Sequence, residues 1–88
     1  MKEVREMYEY NEFGFKYLLV INDDDSLNIT EYNKKGEPRE LFNCEITDCG
    51  KNGGKRVEYA LKDGGCKSSL PFKNYEDGEL NKRWTKIK

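Results

Sequence analysis

From residue 13 the chain alternates. Phe13, Phe15, Tyr17, Leu19 and Ile21 occupy every second position, and a period of two places one set of side chains on a single face of a β-strand. Leu18 and Val20 add apolar positions on the opposite face, which predicts a central strand covered on both sides at that end. Asn22-Asp23-Asp24-Asp25-Ser26 follows, and such short polar side chains favour a turn by bonding back to the local backbone. A second strand is expected over 27–33, with Leu27 and Ile29 on one face. Lys34-Lys35-Gly36-Glu37-Pro38 is the next turn, and Pro38, lacking an N–H, suits a strand entry.

A third strand is predicted over 39–48, where Phe42, Cys44 and Ile46 alternate. Asn52-Gly53 then signals a type I′ hairpin turn, whose two central residues both need positive φ. A fourth strand over 55–62 turns Val57, Tyr59 and Leu61 inward and Arg56, Glu58 and Lys62 outward. Asp63-Gly64-Gly65 leads to a fifth over 66–72, with Cys66, Leu70 and Phe72 on one face. At the N-terminus, Val4, Tyr8 and Tyr10 fit a strand face and Val4, Met7 and Tyr8 a helical one. The strand is preferred, joined through Asn11-Glu12 to the next. Near the C-terminus, Leu80, Arg83 and Trp84 have helical spacing, while residues 84–87 equally suit a short edge strand.

Strands at intervals of about a dozen residues, separated by turn chemistry, predict a mainly β fold. The expected architecture is a small antiparallel meander or barrel of five to six strands, with at most one short helix near a terminus. SH3-like and oligonucleotide-binding-type barrels fall within that class. With 88 residues and no linker or repeat, residues 1–88 are expected to form one domain with a small core.

Composition narrows the chemistry. The chain has no His, so the usual neutral-pH base and the commonest metal ligand are both missing. Cys44, Cys49 and Cys66 are an odd set. They supply three ligands where structural zinc takes four, and the only nucleophilic thiols lack a His to activate them. No apolar run approaches the roughly 18–20 residues of a membrane span, and no signal-peptide pattern is present. Free thiols in a reducing cytoplasm are therefore expected, with no cofactor, no metal and no membrane. A core of this size is also expected to leave little room for a substrate cleft. Ala occurs once, Gln never, and Lys outnumbers Arg by 12 to 4, a bias that fits an A/T-rich genome such as that of a low-GC bacterium or its phage.

The net charge of −1 conceals an asymmetry. Residues 1–48 carry 6 basic and 12 acidic side chains, and residues 49–88 carry 10 and 5. Either the halves interleave and their charges pair, or the surface is dipolar and marks a partner. Asp23-Asp24-Asp25 fails the calcium-loop pattern, because Leu27, Asn28 and Lys34 stand where ligands or glycine belong. It reads as a solvated hairpin tip, or with Glu31, Glu37 and Glu40 as an acidic set for a basic groove. Lys51, Lys55 and Arg56, with Lys82, Arg83, Trp84 and Lys86, form a basic set around the only Trp, suited to single-stranded nucleic acid if that ring is exposed.

Binding, not catalysis, is thus the expected function. In size, composition and charge the chain is similar to small phage-encoded inhibitors, including anti-CRISPR-type proteins, a comparison that rests on no motif. It implies a protein partner, namely a host enzyme that handles nucleic acid. The alternatives are a single-stranded nucleic-acid-binding β-barrel and a structural or assembly subunit.

Overall fold

The computed structural model describes residues 3–88. Eight strands follow one another: β1 (Val4–Glu12), β2 (Phe15–Asn22), β3 (Leu27–Tyr32), β4 (Pro38–Glu40), β5 (Phe42–Asp48), β6 (Lys55–Ala60), β7 (Lys67–Lys73) and β8 (Trp84–Lys86). A five-stranded sheet has the order β4-β3-β2-β1-β8, and a three-stranded sheet the order β5-β6-β7. All pairings are antiparallel.

The two sheets join at both margins. The Leu41 N–H donates to the Ile29 carbonyl at 2.9 Å, so the chain is still tied to β3 as it passes from β4 into β5. On the other side Asn81 N–H donates to Phe72 O at 2.8 Å and Asn74 N–H to Glu79 O at 2.9 Å, with Lys73 and Leu80 bridged. The same segment then enters β8 and pairs with β1. Within each sheet consecutive strands pair as hairpins, and the last strand returns to pair with the first. The expected meander closes into a ring, which removes most of its free edge.

Inside the ring the alternating residues of both sheets meet. Leu19, Ile29 and Val57 are fully buried, and Tyr8, Tyr10, Phe72 and Trp84 are nearly so. Tyr8 meets Phe72 edge-on at 5.1 Å, and Trp84 lies 5.1 Å from Tyr10 and 5.5 Å from Phe72. Burial of each such ring stabilises the fold by roughly 2–3 kcal/mol, so the four aromatics carry a large share of this small core.

Several expectations are corrected. The predicted third strand breaks at Leu41, which turns inward and is buried, leaving β4 on one sheet and β5 on the other. A bulge between Phe42 and Glu45, with Asn43 at φ 53°, re-aims the chain there. The Asn52-Gly53 turn is a 3-10 turn over Gly50–Asn52, with positive φ at Gly50 and Gly54 instead. Gly54 is required by a close approach: a Cβ there would lie 2.3 Å from Lys73 O. β6 ends at Ala60, so Leu61 is exposed and not inward, and Cys66 is exposed in the following turn. β2 is central by pairing, yet Leu18 and Val20 remain half-buried because no second layer covers the outer face. Of the two readings left open for the C-terminal segment, the short strand is the one formed, since its backbone pairs with β1.

Candidate functional site

The acidic set does not assemble. Asp23, Asp24 and Asp25 lie exposed on the β2–β3 turn and serve its geometry. Asp24 Oδ1 accepts from the Ser26 N–H at 3.0 Å and from its hydroxyl at 2.5 Å, and Asp25 Oδ1 meets Arg5 Nη1 at 2.7 Å. Glu37 is exposed in the β3–β4 turn, at the far end of a six-residue strand, about 20 Å away at 3.3 Å per residue, and Glu40 is exposed on β4 opposite Thr30, in the middle of β3. Glu31 faces inward with Ile29, since both have the same parity on β3. Its side chain is 12% exposed, and Arg39 Nη2 donates to it at 2.9 Å. Beside it, burial pushes the Tyr17 hydroxyl well above its usual range, with the Glu31 and Tyr59 hydrogen bonds adding to the shift. Glu31 is thus part of an interior polar cluster and not of an acidic docking face.

The basic set is likewise divided, and its aromatic is lost to the core. Trp84 is 4% exposed, and its indole N–H donates to Pro71 O, so it cannot stack on a base. Arg83 Nε lies 3.3 Å from Glu12 and Lys86 Nζ 3.6 Å from Glu6. Arg56 Nε donates to Ser69 Oγ at 3.0 Å. Lys51 and Lys55 stand at the end of the ring that carries the Asp25 turn, whereas Lys82 and Arg83 lie near Glu12 at the other. The pairs Glu45–Lys67, Glu12–Arg83 and Glu6–Lys86 each join the acidic first half to the basic second half. At these three pairs the charges of the two halves offset one another.

No metal-binding set comes together among the described residues. The three cysteines are free, and no group of His, Cys, Asp or Glu is spaced to hold a metal. Burial pushes the half-buried Cys44 thiol upward, away from the reactive thiolate. No described helix is long and apolar enough to cross a membrane. The expectation of little cleft volume is corrected: the end of the ring beside Asp25 opens into a cleft of about 650 Å³. Its carboxylates are already engaged, Glu6 by Tyr8 and Lys86, Asp25 by Arg5, and Glu45 by Lys67.

The opposite end carries the feature the alternation concealed. Phe13 is not in a strand. It occupies the β1–β2 turn with Gly14, at φ 51° and 82°, and is 84% exposed. A bulky residue in this left-handed region is a conformational outlier. The tip is braced, because the Lys34 stem lies against Gly14 and its ammonium 5.9 Å from the Phe15 ring centre. Lys16 Nζ likewise sits 4.8 Å from the Tyr32 ring centre. The one sequence signal was Gly14 itself, a turn residue directly after an aromatic. No family model, curated protein or solved structure matches the chain.

Proposed function

We propose that the protein is a small non-catalytic module that docks on a protein partner through the β1–β2 hairpin tip. The observation that carries this reading is Phe13, a large apolar ring held almost fully in solvent on a backbone conformation that disfavours it. An L-residue in the left-handed region costs roughly 1–2 kcal/mol. Strain of this kind at an exposed side chain points to use of that side chain. Buried aromatic anchors dominate protein interfaces, and Lys16, Lys34 and Lys35 around this one suit an acidic rim on the partner. Blocking a host enzyme that handles nucleic acid, as small phage inhibitors do, is compatible with such a tip. In that case an aromatic plug, not an acidic mimic, does the blocking.

Direct nucleic-acid binding is the weaker reading. Trp84 is buried, and the Lys16 and Lys34 ammonium groups already cover faces of Tyr32 and Phe15, so the aromatic of the expected basic set is not available for stacking.

Affinity capture from the native host lysate tests the proposal, comparing the wild type with Phe13→Asn, since Asn tolerates positive φ. The expected result is a partner whose affinity falls at least about 30-fold in the variant, the effect of removing a hot-spot anchor. Equal capture by the folded variant, or tight gel-shift binding to single-stranded DNA or RNA, would overturn it.

A further inference from the structure

The ring is not fully zipped. β4 pairs only with residues 30–32 of β3, and β5 pairs only with β6. Between them a seam separates the start of β3 from β5, and the 650 Å³ cleft is lined from both lips, by Ser26 and Leu27 on one and Cys44 and Ile46 on the other.

Backbone alternation fixes which groups face that seam. Leu41 N–H donates to Ile29 O, so odd residues of β3 present their N–H and C=O toward β4 and the seam, Leu27 among them. Cys49 N–H donates to Gly54 O, so odd residues of β5 face β6, and Ile46 and Asp48 point their backbone groups into the seam. The Cys44 thiol closes its upper end, taking the Ile29 N–H and donating to Leu41 O at 3.6 Å. Below it, Leu27, Ile46 and Asp48 have backbone donors and acceptors with no partner among the described residues. Such groups are a template for one more strand.

The floor and charge of the cleft define what that strand carries. Ile21, Leu27, Ile46 and Phe72 make the floor apolar. The three rim carboxylates are engaged as described, and Arg5 is held by Asp25. Lys55 and Lys73, paired in register on β6 and β7, have no ion-pair partner among the described residues. Asp48 stands opposite Lys55 in the β5–β6 register, so the uncompensated positive charge of the cleft is centred on Lys73.

We infer that the seam between β3 and β5 is a strand-addition site for an extended peptide of alternating apolar and acidic residues, pairing its backbone with β5 at Ile46 and Asp48. Apolar side chains of the peptide enter the cleft, and its carboxylates meet the positive charge centred on Lys73. The site lies at the end of the ring opposite Phe13, so it goes beyond the docking tip, and each can fail without the other.

The test uses a fluorescein-labelled hexapeptide of alternating Val and Asp, with a Val-Lys counterpart, titrated by anisotropy against the full chain. The acidic peptide is expected to saturate and the basic one not. Amide exchange at Ile46 and Leu27 is expected to slow about tenfold or more on binding, the sign of new backbone hydrogen bonds. Lys55→Glu, at an exposed position, with Lys73→Glu is expected to weaken the acidic peptide about tenfold or more. No saturable binding, equal binding of both peptides, or protection confined to β4 would overturn the inference. A partner captured through Phe13 alongside any of those results leaves the docking tip standing and removes only the seam.

Discussion

The indole N–H of Trp84 donates to the carbonyl oxygen of Pro71 at 2.5 Å. Pro71 lies on β7 and Trp84 opens β8, so the bond spans the margin where the two sheets meet. Trp84→Phe keeps a ring against Tyr8, Tyr10 and Phe72 and leaves the carbonyl unpaired, at an expected cost of about 1–3 kcal/mol. Trp84→Ala also opens a cavity, at about 3–5 kcal/mol. Urea unfolding measures both. Single-stranded oligonucleotides are expected to leave the Trp84 emission unchanged, because the ring is covered.

Phe13 predicts a trade between stability and binding. Phe13→Asn relieves the left-handed strain and exposes less apolar surface, and is expected to stabilise the fold by about 1 kcal/mol. In a domain of this size that raises Tm by roughly 4–8 °C. The same variant is the one expected to lose its partner, so calorimetry and capture should move in opposite directions.

Two tyrosine–glutamate pairs mirror one another on β1. Tyr8 Oη donates to Glu6 at 2.7 Å, and Tyr10 Oη donates to Glu12 at 2.6 Å. Burial, aided by these bonds, pushes both phenols up to about 12. Their folded values lie above the unfolded one near 10, so the stability they contribute is complete below about pH 10. It is lost as pH rises from there through about 12. Glu6 behaves in the opposite sense. The Tyr8 hydroxyl holds its carboxyl below the usual range, so its contribution is present above the ordinary carboxylate pKa and is lost on acidification below it. Urea midpoints across pH are expected to fall at both extremes. Tyr8→Phe is expected to reduce the acid limb as well as the alkaline one.

Gly54→Ala is expected to cost more than 2 kcal/mol, because positive φ adds to a backbone clash at 2.3 Å with Lys73 O and 2.8 Å with Tyr75 N. Gly36→Ala has positive φ but open space around it, and is expected to cost only about 1 kcal/mol. Comparing their denaturation midpoints separates steric from conformational cost.

Alternation made the strands legible: Leu27 and Ile29, and Val57 and Tyr59, face inward as their spacing requires. Glu31 shares the parity of Leu27 and Ile29, so its inward position was also readable, but its charge argued for the surface and outweighed the pattern. Phe13 continues the alternation yet lies in the turn, because periodicity does not register where a hairpin turns. Residues 39–48 concealed a change of sheet, since the crossing at Leu41 depends on what β3 and β6 offer on either side. Trp84 stood in a segment too short to show any period, and its burial follows from β1 and β7 closing around it. The seam was invisible for a simpler reason: it is a property of which strands fail to meet.

The closed order of strands also bears on how the chain assembles and where it can be cut. Met7 N–H donates to Lys88 O at 2.9 Å, so Lys88 lies against the first half of β1. Every other pairing joins near neighbours in sequence, whereas β1–β8 must close almost the whole chain and carries the largest loop entropy. The final strand is therefore the latch of the ring, the last part to engage and the first to let go. A cut in the exposed 61–66 turn, with the two ends joined, would leave β6–β7, a six-residue ladder against the three of β1–β8, to be closed without a hairpin, and is expected to slow folding.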